Sequence, residues 1–386
     1  MSNTLRALIL GAGYAGEGHT LALQRAGVDV VAMASRTLAS CQATAQRLAI
    51  PQAGTDWRAL LAEVKPEIVA VATPGGAHVE MAGAALAAGC HVYCDKPLAL
   101  TAPEARQLYA LAKTMGVKTA YAASYRYQPQ ALYARELVQQ GVLGAIYEVE
   151  CVSHYNWPRL MPFGWPHRLD TGGGRLNNNF THKLAIVQNI VGGEILAAMG
   201  ETRNDLKRVP MANKVHDFRD YFKHLLTPEE AAKGEWAEVD SDWSYTVLVH
   251  LGEPTADPAD AVSATFRHSA LTFAKNADYV AIYGEKGALH IEGAYTQGAM
   301  YLRTASNAGD SWEALTIPDH IHHSLPTEPD HSQRNWDQLA RDFVADIQGE
   351  GDRGYPTFRD GWMHQQVIDV VRSGHGWAAI EGELKA

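Results

Sequence analysis

The chain has 386 residues, of which 46% are hydrophobic and 20% charged, so it can form two or three domains with substantial cores and is not globally disordered. Its 33 Lys and Arg residues against 43 Asp and Glu residues give a formal charge of −10, which argues against nucleic acids and anionic membranes as partners. No apolar run reaches the roughly 18 residues that a membrane-spanning helix needs.

In the first 120 residues, short apolar segments alternate with segments of helical character. The predicted strands are 6–10, 29–34, 68–72, 91–94 and 117–120, and the predicted helices are 16–26, 38–48, 77–88 and 101–116. Thr101 and Glu104 have the spacing of a capping box at the start of the last helix. Strands separated by helices of this length indicate βαβ units, so we predict an α/β fold with a parallel sheet.

The pattern changes after about residue 125. A helix over 129–140 precedes long alternating segments that predict antiparallel strands. These segments are 146–153, 245–251, 261–266, 279–283, 288–292 and 299–304, and predicted helices near 335–348 and 360–372 follow them. A charged insert occupies about 201–240. We therefore expect an α/β domain at 1–124 and an α+β domain at 125–386, with the C-terminal helices free to pack back on the first domain.

A Gly-x-Gly-x-x-Gly motif at 11–16 follows the first predicted strand and precedes a helix, which is the context that dinucleotide binding requires. Gly11 permits the turn, and Gly13 lets the backbone approach a pyrophosphate at the positive end of the helix. We expect Tyr14 and Ala15 to share this contact. The alternative is an ordinary glycine-rich turn.

The end of the second strand indicates which cofactor the chain prefers. NAD-binding proteins place an acidic residue there, whereas this chain has Ser35, Arg36 and Thr37. Arginine is suited to a 2′-phosphate, so NADP(H) is the favoured cofactor and NAD(H) the alternative. Arg36 could instead be a solvated loop charge or stack on adenine without discriminating.

Two further segments follow strands at the edge where a cofactor would lie. Thr73, Pro74 and His78 come after the third predicted strand, and Asp95 and Lys96 come after the fourth. A buried lysine there would have a lowered pKa and could handle a proton. For the segment with His78, the alternative is a proline-containing turn with a surface histidine. For the segment with Lys96, it is a lysine exposed to solvent.

A third cluster runs from Gly172 to His182 and begins with three glycines. Asn178 and His182 are four residues apart on the helix that follows, so they share a face and could bind a carbinol whose proton His182 takes. The alternative is a run of helix-capping asparagines with a satisfied core histidine.

The ordered set of these motifs resembles the Gfo/Idh/MocA family, which includes glucose–fructose oxidoreductase and inositol dehydrogenase. The matching segments are Gly-x-Gly-x-x-Gly at 11–16, Thr-Pro-x-x-x-His at 73–78, Asp-Lys-Pro at 95–97, Ser-Tyr-Arg-Tyr-x-Pro at 124–129, Gly-x-Leu-Gly-x-Ile-Tyr at 141–147, the glycine-rich helix start ending in His182, and Pro-Thr-x-x-Asp-Gly at 356–361. The resemblance implies an N-terminal Rossmann domain and a C-terminal α+β domain with a large open, mostly antiparallel sheet. It also implies NAD(P)-dependent hydride transfer at a hydroxyl or carbonyl carbon of a sugar or polyol, and a homodimer or homotetramer formed through that sheet.

The resemblance assigns catalytic roles to Lys96 and His182 and a cofactor contact to Arg126. Asn178 stands where many members of the family have aspartate. An amide cannot act as a base, so Asn178 would orient the substrate while His182 and Lys96 handle the proton. The substitution also keeps two alternatives open: a redox-neutral NAD(P)-dependent lyase or glycosidase, and a non-catalytic dinucleotide-binding sensor.

Aromatic and basic residues precede the catalytic helix. Tyr155, Trp157, Trp165 and Arg168 could stack on a sugar and bind its hydroxyls, although packing within a long loop is an equal alternative. The histidines at 320, 322 and 323 lack the spacing of metal ligands and fall in an expected loop, so no metal site is predicted.

Two observations bear on location. The early apolar run Leu8–Leu10 is too short for a signal-peptide core. The four cysteines include no Cys-x-x-Cys pair, which favours a reducing cytoplasm over a disulfide framework.

Overall fold

The computed structural model describes residues 4–212, 215, 219–254, 260–273, 277–304, 311–351 and 354–384. Within these ranges, none of the helices combines the length and apolarity that crossing a bilayer requires. Part of the charged insert, residues 213–214 and 216–218, lies outside the described residues.

The N-terminal part forms a six-stranded parallel sheet with the strand order β3-β2-β1-β4-β5-β6. Its elements are β1 (Arg6–Leu10), α1 (Tyr14–Arg25), β2 (Asp29–Ala34), α2 (Leu38–Arg47), β3 (Gln52–Gly54), α3 (Trp57–Val64), β4 (Ile68–Val71), α4 (His78–Ala87), β5 (His91–Cys94), α5 (Ala102–Met115) and β6 (Thr119–Tyr121). This order confirms the predicted Rossmann sheet. Sequence reasoning missed β3 and α3, which are three and eight residues long.

The C-terminal part forms a nine-stranded sheet with the order β16-β15-β14-β13-β7-β12-β11-β8-β17. Its strands are β7 (Ile146–His154), β8 (Glu194–Arg203), β11 (Ser244–Gly252), β12 (Val262–Ser269), β13 (Ala277–Gly284), β14 (Gly287–Glu292), β15 (Met300–Thr304), β16 (Glu313–Leu315) and β17 (Ala378–Ala379). Among the described strands of this second sheet, only β7 and β12 pair in parallel, so the predicted mostly antiparallel sheet is confirmed. Strand β8 was not predicted, and its end occupies the start of the expected insert.

The remaining elements connect or cover this sheet. They are α6 (Pro129–Gln139), α7 (Thr181–Val191), β9 (Arg208–Pro210), α8 (Asp220–Lys223), α9 (Pro228–Lys233), β10 (Trp236–Glu238), α10 (Asp319–Ser324), α11 (His331–Ile347) and α12 (Phe358–Ser373). The expected loop around His320 is helix α10, and His320 bonds Glu136 at 2.7 Å. Helix α11 begins four residues before its predicted start.

Two C-terminal helices pack against the first sheet. Phe343 of α11 shares a buried apolar cluster with Tyr93 of β5, and Trp362 of α12 shares another with Tyr121 of β6. Helix α12 also contributes Val367 to the core under the second sheet. Helix α12 therefore contributes buried side chains to the cores of both sheets and links them.

Candidate active site

The turn between β1 and α1 is built for close approach. Gly11 has a φ of +120°, and a side chain added there would place its Cβ 2.5 Å from the carbonyl oxygen of Ala72, so only glycine fits. Gly13 is the N-terminal cap of α1, and no side chain caps the helix there. The first amide groups of α1 are therefore available to an anionic group, with Tyr14 and Ala15 half-buried beside them.

The three residues after β2 lie at the surface of the same edge. The Ser35 hydroxyl donates to the carbonyl oxygen of Thr37 at 3.2 Å, and Arg36 is exposed. No acidic side chain occupies this turn.

His78 is fully buried and joins two loops. Its Nδ1 lies 2.7 Å from the carbonyl oxygen of Pro97, and its Nε2 lies 2.7 Å from that of Thr73. Because both ring nitrogens are occupied, His78 holds the loops together and does not present a group to a ligand. Pro74 caps the short helical turn between them.

Glycines bring this edge against the loop that precedes the helix carrying Asn178 and His182. A side chain at Gly76 would collide with the carbonyl oxygen of Asp170, and one at Gly75 would lie 3.3 Å from Cα of Gly172. The two backbones therefore touch, which sets Lys96 opposite the first turns of the helix. That start is a π-helical turn over Leu176–Phe180, a rare conformation that is frequent at functional sites.

Lys96 and Asn178 are in direct contact. The Lys96 ammonium donates to Oδ1 of Asn178 at 3.3 Å. The Asn178 amide nitrogen donates to the carbonyl oxygens of Gly174 at 2.8 Å and Gly172 at 3.3 Å, so the amide is held with its oxygen toward Lys96. Burial, together with the charge of Arg175, lowers the pKa of Lys96, although Asp95 opposes this.

His182 lies one turn further along the same helix. It is 7% exposed, and its Nδ1 is buried without a hydrogen-bond partner among the described residues, unlike a satisfied core histidine. Its ring meets the rings of Tyr125 and Tyr295 edge to face, at 4.7 and 5.5 Å. Burial and the cations Lys96, Lys183 and Arg175 hold the pKa of His182 well below its usual range, so the ring is neutral at pH 7 and has one unprotonated nitrogen.

The floor of the site is a row of paired strand positions. Tyr245, His268, Ser153 and Asp278 lie side by side across β11, β12, β7 and β13, so all four face the helix. Ser153 Oγ donates to Oδ1 of Asn179 at 3.1 Å and lies 2.9 Å from Nδ1 of His268. None of these positions was selected from the sequence, because strand register alone brings them together.

Arg175 lies above this row and is 7% exposed. Its Nε donates to Nε2 of His268 at 3.1 Å, and its guanidinium lies 4.5 Å from the ring centroid of Trp157. One face of Trp157, expected to stack on substrate, is therefore stacked on Arg175.

Behind His182, Lys183 and Asp278 form a buried ion pair. Tyr155 donates its hydroxyl to the same carboxylate. Burial lowers the pKa of Lys183, but Asp278 more than compensates, so the pKa lies above its ordinary value. Tyr155, expected to bind substrate, thus has its hydroxyl committed to Asp278.

Three residues that were expected to contact the cofactor or the substrate are not brought together with Lys96, Asn178 and His182. Arg126 donates to Oδ1 of Asn189 at 2.5 Å, about 10 Å along the helix from His182. Arg168 is exposed and paired with Asp170. Trp165 is half-buried, and its carbonyl oxygen accepts the Thr171 hydroxyl at 3.0 Å.

The insert reaches the dinucleotide turn. Arg219 bonds both carboxylate oxygens of Glu17, at 3.0 and 2.9 Å, and lies 5.6 Å from the ring centroid of Tyr14. Burial raises the pKa of Tyr221 to about 12, and the nearby charge of Arg36 opposes this. The insert therefore lies beside the turns that would hold a dinucleotide, a placement that its composition did not indicate.

The turns at Gly11–Ala15 and Ser35–Thr37 fit a nicotinamide dinucleotide, because the first offers uncapped helix amides and the second offers a guanidinium. Within the described part of the chain, no three His, Cys, Asp or Glu side chains are grouped as they would be around a metal ion.

Two family models match the chain in consecutive segments. The family model described as "Oxidoreductase family, NAD-binding Rossmann fold" matches residues 5–123. The model described as "GFO/IDH/MocA C-terminal domain" matches residues 131–290.

Two curated relatives are sugar dehydrogenases by name. D-glucoside 3-dehydrogenase of Escherichia coli (strain K12) is 37% identical over 148 residues, which are 38% of this chain and 42% of that protein. D-xylose 1-dehydrogenase (NADP(+)) 2 of Haloferax volcanii is 36% identical over 137 residues, which are 36% of this chain and 42% of that protein. The chain thus spans less than half the length of these two relatives.

A solved structure of levoglucosan dehydrogenase in complex with NADH and L-sorbose is similar over nearly the whole chain. The TM-score is 0.82 at 20% identity, with 98% of this chain and 99% of that chain covered. At this identity the similarity shows a common fold.

Proposed function

The chain belongs to the Gfo/Idh/MocA family of oxidoreductases, and from this premise we propose that it transfers a hydride between NADP(H) and a hydroxyl-bearing carbon of a sugar or polyol. The observation that carries the proposal is the meeting of Lys96, Asn178 and His182 at the edge of the dinucleotide-binding sheet. The names of the two sugar dehydrogenases support the substrate class.

The turn around Gly11–Ala15 would hold the pyrophosphate, and Ser35–Thr37 would hold the adenosine ribose. When bound, the nicotinamide supplies the acceptor or donor of the hydride. Oxidation removes the hydride from the carbinol carbon and a proton from its hydroxyl, so the protein must receive that proton.

His182 takes the hydroxyl proton in this proposal, because its ring is neutral and its Nδ1 has no partner among the described residues. Lys96 donates a hydrogen bond to the same oxygen and stabilises the charge that develops there. Asn178 positions Lys96, since its amide orientation is fixed by two glycine carbonyls. His78 and Thr73 position the loop that carries Lys96.

Asn178→Asp is expected to impair the enzyme and not to restore a base. One carboxylate oxygen would face the Gly174 carbonyl where the amide now donates at 2.8 Å, and the other would face Lys96. The added negative charge raises the pKa values of Lys96 and His182, so the proton acceptor loses its proton only at higher pH. The acidic limb of kcat/KM for oxidation should therefore move upward by about 1 to 3 pH units.

The measurement is the pH profile of oxidation, with Asn178→Ala as the matched variant that removes the amide without adding charge. In Asn178→Ala the limb should move less than in Asn178→Asp. A limb that stays in place or moves to lower pH in Asn178→Asp would contradict the proposed arrangement.

The first test of function is titration with NADPH and NADH, followed by energy transfer from tryptophan, and then a screen of sugars and polyols for reduction of NADP⁺ at 340 nm. Tight NADPH binding and one or more oxidised substrates are expected. Product formation without net absorbance change would replace the dehydrogenase with a redox-neutral lyase. Cofactor binding without any turnover would replace it with a sensor.

Arg36 is expected to set the preference for NADP(H). Charge-assisted contacts to a phosphate are individually strong, so Arg36→Gln should weaken NADPH binding by about 10- to 100-fold and change NADH binding little. Arg58→Gln is the matched control, because Arg58 is an exposed arginine of helix α3 in the same domain and is paired with Glu80. Equal losses for NADPH and NADH would show that Arg36 does not contact the 2′-phosphate.

The proposal extends to assembly and location. The open sheet exposes Tyr147 and Tyr283 on adjacent strands β7 and β13, and Trp312 near the β16 edge, which supports a homodimer or homotetramer formed through this sheet. All four cysteines are unpaired and buried, which supports a reducing compartment such as the cytoplasm.

A further inference from the structure

Arg175 is a buried cation without a buried anion. The residue as a whole is 7% exposed, and no carboxylate oxygen lies within 4 Å of its guanidinium among the described residues. Within the described part of the chain, its one side-chain hydrogen bond runs from Nε to Nε2 of His268, and Trp157 covers the guanidinium on one side. Buried charges are ordinarily paired, so an arginine in this state is expected to meet its counter-charge in a ligand.

The acidic side chains around Arg175 are already paired with other cations. Asp242, whose backbone carbonyl accepts the amide of Arg175, binds Arg372 at 3.0 Å through its carboxylate. Asp278, in the row beneath, binds Lys183 and the hydroxyl of Tyr155. Neither carboxylate is therefore available to neutralise Arg175.

Hydrogen bonding also keeps His268 neutral. Ser153 gives its hydroxyl proton to Oδ1 of Asn179, so it accepts from Nδ1 of His268. Nε2 of His268 is then the acceptor of the Arg175 bond, and the ring carries no negative charge. The hydrogen-bond chain thus fixes Arg175 in position and leaves its full charge uncompensated.

Arg175 acts on the reacting groups. Its charge contributes to lowering the pKa values of both Lys96 and His182, which places it within electrostatic range of the carbon to be oxidised. Residue 178 is an asparagine, so the side chain that Lys96 contacts there is a neutral amide and adds no negative charge to the site. Asp95 offsets part of the charge of Lys96, and Asp278 offsets that of Lys183, so among the described residues the charge of Arg175 is the one without a nearby anion.

Building on the proposed function, we propose that the substrate is a sugar acid whose carboxylate is bound by the two terminal nitrogens of Arg175. The Nε position is used by His268, and the remaining pair forms the fork that matches two carboxylate oxygens. A phosphate dianion would call for a second cation beside Arg175, and the nearest candidates already serve other groups: Lys183 and Arg372 are paired with Asp278 and Asp242.

The experiment compares matched substrates with the full-length protein and its preferred cofactor. Hexuronates and their methyl glycosides are paired with the corresponding neutral hexoses and methyl hexosides, and hexose 6-phosphates form a third arm. We expect kcat/KM for the best uronate to exceed that of its neutral partner by about 10- to 100-fold, mostly through KM. A neutral sugar or a sugar phosphate preferred over every uronate would overturn the sugar-acid inference and leave the proposed dehydrogenase standing.

Variants separate binding of the carboxylate from a structural role of Arg175. Arg175→Lys keeps the charge and loses the fork, and Arg175→Gln loses both, so the uronate-to-neutral ratio of kcat/KM should fall partly in the first and to about one in the second. Arg341→Gln, which removes an exposed arginine of α11, controls for the change in net charge. Circular dichroism and NADPH binding establish that each variant is folded.

A ratio that is unchanged in folded Arg175→Gln or Arg175→Lys would overturn the inference. Should Arg175→Gln fail to fold, the comparison of Arg175→Lys with wild type decides the question. Absence of turnover in all three substrate arms would instead overturn the proposed function, and the sugar-acid inference with it.

Discussion

His182→Ala is expected to lower kcat for sugar oxidation by about 10²- to 10⁴-fold, the usual contribution of a general acid or base. The ring is 7% exposed, is neutral at pH 7 and has an unpartnered Nδ1, so its removal leaves the hydroxyl proton without an acceptor in the described site. NADPH binding should change little, because the dinucleotide turns lie on other elements.

The measurement is steady-state kinetics at several pH values, with NADPH affinity determined on the same preparations. His320→Ala serves as the control, since His320 is an exposed histidine of α10 bonded to Glu136 and is absent from the cluster. A kcat for His182→Ala within about threefold of wild type would assign the proton to another group, and Lys96 would be the first to test.

Asp278→Asn is expected to lower the free energy of unfolding by about 3–5 kcal/mol, because it leaves the ammonium of Lys183 buried without a counter-charge. Lys183 is fully buried and lies 4.9 Å from the ring centroid of Tyr295, so water cannot replace the lost carboxylate without disturbing the site. Urea unfolding followed by tryptophan fluorescence measures the loss.

The free energy of unfolding of Asp278→Asn should depend on pH in a direction that the pKa of Lys183 determines. Without Asp278, burial depresses the pKa of Lys183 in the folded state below that of the unfolded chain, so the unfolded state binds more protons. Stability of Asp278→Asn relative to wild type should therefore recover as the pH rises from neutrality toward 10.

Two further variants isolate the ion pair. Tyr155→Phe removes one hydrogen bond to Asp278 and should cost only about 1 kcal/mol. The double variant Asp278→Asn with Lys183→Met removes the stranded charge and should recover much of the loss. An Asp278→Asn protein within about 1 kcal/mol of wild type would show that Lys183 is neutral or otherwise solvated.

Local sequence patterns identified most elements of both sheets. Buried runs such as Ile68–Val71 and alternating runs such as Ser244–Gly252 carry the periodicity of their environment. Strand β8 was not predicted because its residues are half-buried on both faces and its end is charged. Its sequence therefore shows neither the two-residue alternation of a strand nor the period of a helix. Strand β3 is three residues long, too short for a period to be recognised.

The motifs located Lys96, Asn178 and His182, because Lys96 lies in an Asp-Lys-Pro segment after a strand and the other two follow a glycine-rich segment on one helix. Asn178 was expected to orient substrate, and the structure shows its amide held by two glycine carbonyls with its oxygen on Lys96. Arg126 and Arg168 were selected for charge, yet each is bound to a neighbour outside the cluster.

The sequence by itself determined the dinucleotide turn, the alternation of most strands and helices in the first domain and the helix that carries His182, since each depends on residues close together in the chain. Tertiary structure alone decided that Arg175 meets His268, that Lys183 meets Asp278 and that Arg219 reaches Glu17, pairs separated by 93, 95 and 202 residues. Strand register and helix packing create those contacts. A contact between residues that are far apart in the sequence produces no local periodicity. Only the folded chain therefore shows that the buried charge of Lys183 is paired with Asp278, whereas that of Arg175 has no ion-pair partner among the described residues.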